Sequence, residues 1–139
     1  EPRSRAIARW IVRSRPISNA RQLAQIVGRA VRGARGRTNP ATRTFQALRV
    51  YVNHELENLK EALPQAVNLL KPGGRVVVIS YHSLEDRIVK EFFRAESHIN
   101  RQNPTFSVIT KKVVRPTAQE LAENPRARSG RLRAGERMG

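Results

Sequence analysis

The sequence predicts an α/β fold, and three observations predict it. Apolar residues recur at three- and four-residue steps through the first half of the chain. One continuous β-branched run, Arg75 to Ser80 (RVVVIS), follows a Pro-Gly-Gly turn. Helical periodicity then resumes with Ile88, Val89, Phe92 and Phe93. Helix, strand and helix in that order indicate a sheet covered by helices.

Residues 4–15 read as a short helix, with Ile7, Trp10 and Ile11 on one face and Pro16 ending it. Ser18 is an N-cap candidate for a second helix that turns Leu23, Ile26, Val27 and Ala30 inward. Val31 to Pro40 (VRGARGRTNP) has no period and is rich in glycine and arginine, so it reads as a loop or boundary. A solvated linker and a contact to backbone phosphate fit it equally. Pro40 suits the first turn of a third helix. Phe45, Leu48, Val52, Leu56, Leu59 and Leu63 then mark one long amphipathic helix, which Pro64 breaks or restarts before Leu70. RVVVIS shows no alternation, which predicts a strand buried on both faces, as in a parallel sheet. Ser83, with Asp86 three residues on, reads as a capping-box variant opening the next helix. TFSVITKKVV and SGRLRAGERM read as two more strands, an antiparallel finish at the sheet edge.

Charge limits the function. Among 139 residues, 27 are Lys or Arg and 11 are Asp or Glu, for a net charge of +16. The excess lies at the ends: residues 1–43 hold 11 basic and 1 acidic, 44–100 hold 7 and 7, and 101–139 hold 9 and 3. A GC-rich coding sequence explains 22 Arg against 5 Lys. It does not explain the shortage of acids at both ends, which points to a polyanion, with nucleic acid the foremost candidate. There is no cysteine, so disulfide and thiolate chemistry are excluded. His54, His82 and His98 have no metal-ligand spacing, and no metal site is expected. No apolar run approaches the ~20 residues needed to cross a bilayer. A cytoplasmic protein without membrane contact is the expectation.

The stretch ISYHSLEDR, Ile79 to Arg87, concentrates polar chemistry in one corner. In open α/β sheets ligands bind outside the carboxyl ends of the strands, and this corner lies at such an end. Ser80, His82 and Ser83 can orient a planar substrate there, and a helix N-terminus favours Glu85 and Asp86 as anions. The plainer reading makes Ser83 a cap, Asp86 its partner and Glu85 a complement to the dipole. His82 with Ser83 makes no hydrolase triad. Among the basic residues, Thr42, Arg43, Gln46 and Arg49 form one cluster and Asn124, Arg126 and Arg128 another. Arg43 and Arg49 either clamp phosphates or tie their helix to acids such as Glu85 or Asp86.

NPATRTFQALRVYVNHEL, LKPGGRVVVISYHSLEDRIVKEFFR and ENPRARSGRLRAGERM resemble, in order and spacing, the bacterial ribosomal RNA small-subunit methyltransferase H family, also called MraW. The resemblance covers essentially the whole chain but only the C-terminal half of the family. It implies a partial Rossmann-like S-adenosylmethionine-dependent methyltransferase fold. Residues 1–39 would end a helical substrate-recognition insert, and residues 40–139 would close the methyltransferase domain. The implied reaction carries a methyl group from S-adenosylmethionine to the exocyclic amino nitrogen of a cytosine in the decoding region of 16S rRNA.

The family's glycine-rich TFGxGGH-type loop, its ribose-holding acid and its DLGxSS-type segment have no counterpart in this chain. No residue here is therefore assigned to cofactor binding, and the chain alone is expected to be inactive. With Glu1 rather than Met at its start, the chain is expected to be part of a longer protein, or to pair with a missing N-terminal half or a second copy. The reaction needs an amine placed near the methyl, relieved of a proton, on a base held out of its stack. His82, Ser83 and Glu85 are the candidates for orienting that base. Arg35, Arg37, Arg43, Arg49, Arg126 and Arg128 are the candidates for holding small-subunit ribosomal RNA. The alternative is a non-catalytic RNA- or ribosome-binding module derived from such an enzyme.

Overall fold

A computed structural model describes residues 1–31, 39, 41–98 and 104–139. Arg35, Arg37 and most of the Val31–Pro40 stretch lie outside the described residues. The chain forms two compact units, Glu1–Glu55 and Leu56–Gly139.

The first unit is helical: α1 (Ser4–Arg13), α2 (Ala20–Ala30) and α3 (Ala41–Val52). Ile7, Val27, Val31 and Ala41 are buried together, with Ile11, Leu23 and Phe45 packed against them. Trp10 stays 45% exposed, so the inner stripe of α1 is narrower than its sequence suggests. Asn19, not Ser18, caps α2: its side chain accepts from the Gln22 N–H at 2.9 Å. The Gln22 side chain in turn accepts from the Ser18 N–H at 2.8 Å, so both backbone donors are satisfied. The long helix expected from Phe45 to Leu63 is two helices. His54 takes a left-handed φ of 51°, which ends α3 at Val52. A histidine adopts this conformation far more readily than a β-branched residue. Apolar spacing alone did not register the break.

The second unit contains α4 (Glu55–Leu69, placed here from Leu56 onward), β1 (Arg75–Ser80), α5 (Ser83–Glu96), β2 (Phe106–Val108), α6 (Ala118–Glu123), a 3-10 turn (Pro125–Ser129) and β3 (Arg131–Arg137). α4 runs through Pro64 rather than breaking there. Leu63 and Val67, on either side of the proline, are buried in the core and hold the helix across the missing hydrogen bond. Its C-terminal carbonyls are met by one side chain: Arg137 Nη1 donates to the Val67, Asn68 and Leu70 oxygens at 3.3, 2.8 and 2.9 Å. The following turn needs Gly73 at φ 79°.

The sheet corrects the expected topology. Its order is β1-β3-β2, and both pairings are antiparallel. β2 and β3 do pair, but β3 is central rather than an edge finish, and α6 with its 3-10 turn intervenes. The expectation that RVVVIS is buried on both faces fails in this chain. Val76 and Ser80 are buried, whereas Val77 and Ile79 are each 56% exposed. The physical reason is one-sided cover: α4 and α5 supply Leu63, Val67, Val89 and Phe93 to a core shared with Val76 and Phe106. The outward face of β1 has no such layer among the described residues. Rings order the core's centre, with Phe93 and Phe106 centroids 5.2 Å apart and tilted by 54°. No described helix is long and apolar enough to cross a membrane.

Candidate functional site

The polar corner follows β1, where the strand gives way to α5. His82, not Ser83, is the N-cap of α5, in extended conformation at φ −141°. Its Nδ1 accepts from the Glu85 N–H at 3.3 Å. The Glu85 Oε2 accepts in return from the N–H groups of Tyr81 at 2.9 Å and His82 at 3.3 Å. This is a reciprocal capping box with histidine in the place usually held by serine or threonine. An Nδ1 that accepts leaves the proton of the neutral ring on Nε2. That atom is buried, lies 3.3 Å from Glu85 Oε1, and makes no aligned hydrogen bond.

The other corner residues separate by role. Ser80 is 5% exposed and its hydroxyl faces the Arg131 carbonyl at 3.4 Å, so it serves the sheet. Ser83 is exposed. Asp86 is not the box partner that the serine reading requires. It forms a two-pronged ion pair with Arg133 of β3, Nε to Oδ1 at 2.7 Å and Nη2 to Oδ2 at 3.3 Å. Both side chains are largely buried, at 11% exposure for Arg133 and 17% for Asp86. The pair fastens the first turn of α5 to the central strand, and sequence spacing gave no sign of it.

A cavity of about 140 Å³ lies beside the corner, lined by Ile79, Tyr81, Arg115, Asn124, Arg131 and their neighbours. Tyr81 reaches it; His82, Ser83 and Glu85 are not among its walls. Asn124, expected near Arg126 and Arg128, does line it, while those two arginines are exposed on the 3-10 turn. Arg43 lies 3.9 Å from Glu1, and Arg49 is forked onto Glu55 at 2.8 and 3.2 Å. The acid partners foreseen for these arginines are thus Glu1 and Glu55, in place of Glu85 and Asp86. Both arginine side chains remain mostly exposed, at 68% and 59%.

The capping geometry has a direct test. His82→Ala is expected to destabilise the second unit by about 0.5–2 kcal/mol, the usual cost of removing an N-cap. His82→Asn, which caps equally well, should retain most of the stability in urea denaturation. Equal losses in both variants would show that the ring is held for packing instead.

The MraW methylase family model matches residues 1–138. Three similar relatives are each called ribosomal RNA small subunit methyltransferase H. That of Rhodopseudomonas palustris strain BisB18 is 51% identical over 99% of this chain and 46% of its own length. That of Thermomicrobium roseum is 51% identical over 99% and 47%. That of Dehalococcoides mccartyi strain 195 is 47% identical over 99% and 43%. The chain spans somewhat under half the length of these relatives.

Proposed function

Since the chain belongs to the MraW methylase family, we propose that it is part of an S-adenosylmethionine-dependent methyltransferase acting on the exocyclic amine of a decoding-region cytosine in 16S rRNA. The observation that carries the reading is the family match along residues 1–138, joined by relatives whose names specify small-subunit ribosomal RNA. The net charge of +16 supports an RNA partner. In this reading residues 1–39 end a helical insert and residues 40–139 close the catalytic domain.

In this reading no residue of this chain is assigned to the methyl donor. Both carboxylates at the strand end are committed, Glu85 to two backbone N–H groups and Asp86 to Arg133. What the chain offers is a corner for the acceptor base. His82 Nε2 is a buried donor without an aligned partner, with Glu85 Oε1 beside it, and a base would meet this pair only with the ring turned outward. A donor and an acceptor 3.3 Å apart match the paired acceptor and amine on one edge of cytosine. Ser83, exposed at the first turn of α5, adds a hydroxyl that can turn either way.

The test joins the N-terminal portion of the Thermomicrobium roseum relative to residue 1 of this chain. The chimera is expected to transfer labelled methyl to 16S rRNA in unmodified small subunits, appearing as N4-methylcytosine in digested nucleosides. The chain alone should bind no S-adenosylmethionine by calorimetry. In the chimera, His82→Asn should slow turnover while cofactor affinity stays unchanged, separating substrate orientation from capping. A chimera that folds cooperatively and binds rRNA but transfers nothing would favour the binding-module alternative.

A further inference from the structure

A second cavity, of about 260 Å³, lies on the side of the second unit formed by α5, β2 and β3. Its floor is apolar, from Phe93 and Val108. Its rim is cationic: Lys90 and Arg94 from α5, Lys111 from the segment after β2, and Arg133 from β3. Hydroxyl groups of Ser97 and Thr110 complete it, and no carboxylate lines it among the described residues.

Ordinary causes do not account for this rim. Arg133 is explained by its pair with Asp86. Arg94 lies in the last turn of α5, where the helix dipole favours a cation. Lys90, a full turn earlier, and Lys111, from another wall, have no such cause. Lys90, Arg94 and Lys111 make no ion pair among the described residues. Like charges at i and i+4, as at Lys90 and Arg94, cost a few tenths of a kcal/mol in a helix. Converging them with Lys111 around a concavity, where Arg133 is already neutralised by Asp86, builds a positive field that an anion relieves. The cavity is far larger than the site of a single water. That is room for a phosphate and a sugar, with the sugar against Phe93 and Val108.

We propose that this cavity is a subsite for one phosphodiester of the RNA, its oxygens held by Lys90, Arg94 and Lys111 and its ribose resting on the Phe93–Val108 floor. The proposal rests on the rRNA reading above and adds a backbone-holding site that none of the sequence-predicted arginines supplies. Phosphate contacts of this kind fix register and orientation without reading bases.

The experiment is salt-dependent binding of a small-subunit rRNA fragment to the chain and to the triple variant Lys90→Ala/Arg94→Ala/Lys111→Ala. A control variant removes three exposed cations outside the cavity, Lys60→Ala/Lys71→Ala/Arg87→Ala. The cavity variant is expected to lower the slope of log affinity against log salt by about 0.7 for each phosphate it no longer neutralises, and the control to lower it less. Retained thermal melting shows that the variant is folded. Equal slopes for the cavity variant and the unsubstituted chain would overturn the subsite while leaving the rRNA reading intact. Absence of RNA binding by the unsubstituted chain would overturn both. Inorganic phosphate that binds the unsubstituted chain but not the cavity variant, with RNA slopes unaffected, would assign the cavity to a free anion and overturn the proposal.

Discussion

Replacing Asp86 by alanine is expected to destabilise the Leu56–Gly139 unit by about 3–5 kcal/mol, the usual cost of stripping one partner from a buried ion pair. The loss arises from what remains. Arg133, 9% exposed on the central strand, would keep its charge with no anion to receive it. A guanidinium cannot shed its proton to escape burial, as a lysine can. The transition in urea should move to much lower concentration, and in a unit of this size the loss is a large part of the total stability. Removing both charges with Asp86→Leu and Arg133→Met should restore most of the loss, because desolvation then falls on neither partner. A neutral effect of Asp86→Ala would mean that water reaches the guanidinium, and the structural role given to the pair would fall.

Gly135→Ala should be the second severe change. Gly135 lies on β3 opposite Val76, and a Cβ built there overlaps the ring of Phe106. That ring is 1% exposed and braced by Phe93, so it has nowhere to retreat. Overpacking of this kind costs about 1–3 kcal/mol, occasionally more. Trimming the ring supplies the check. Phe106→Leu alone opens a void, yet combined with Gly135→Ala the two losses should fall short of their sum by about 0.5–3 kcal/mol, the range for residues that touch. Strict additivity would show that the ring has moved clear of the strand.

Much of the architecture was legible because it rests on local chemistry. The first two helices, the Pro-Gly-Gly turn, the strand at Arg75 and the helix opening after the polar corner all carry their signals within a few residues, whereas α6 went unread. The features that escaped depend on partners distant in the chain. Whether Val77 and Ile79 are covered depends on layers brought from elsewhere, and a run of β-branched residues cannot say whether they are present. Arg133 and Asp86 are 47 residues apart, so no spacing rule links them. His82 as a cap was missed because serine is the commoner choice one position later. Arg137 carries no local signal of its role, yet it closes α4 from 67 to 70 residues away. The break at His54 was local, but left-handed backbone at a histidine leaves no mark in a hydropathy pattern.

Among the described residues β1 is an edge strand, so one of its flanks presents a ladder of backbone groups for pairing. It has no proline or lysine to deter such pairing, and its lone arginine, Arg75, is already neutralised by Glu136. With a net charge of +16, copies of the chain repel one another, and that repulsion fades as dissolved salt shortens its reach to about 3 Å at 1 M. Concentrated salt is therefore expected to favour association through this flank, which light scattering across a salt series would read.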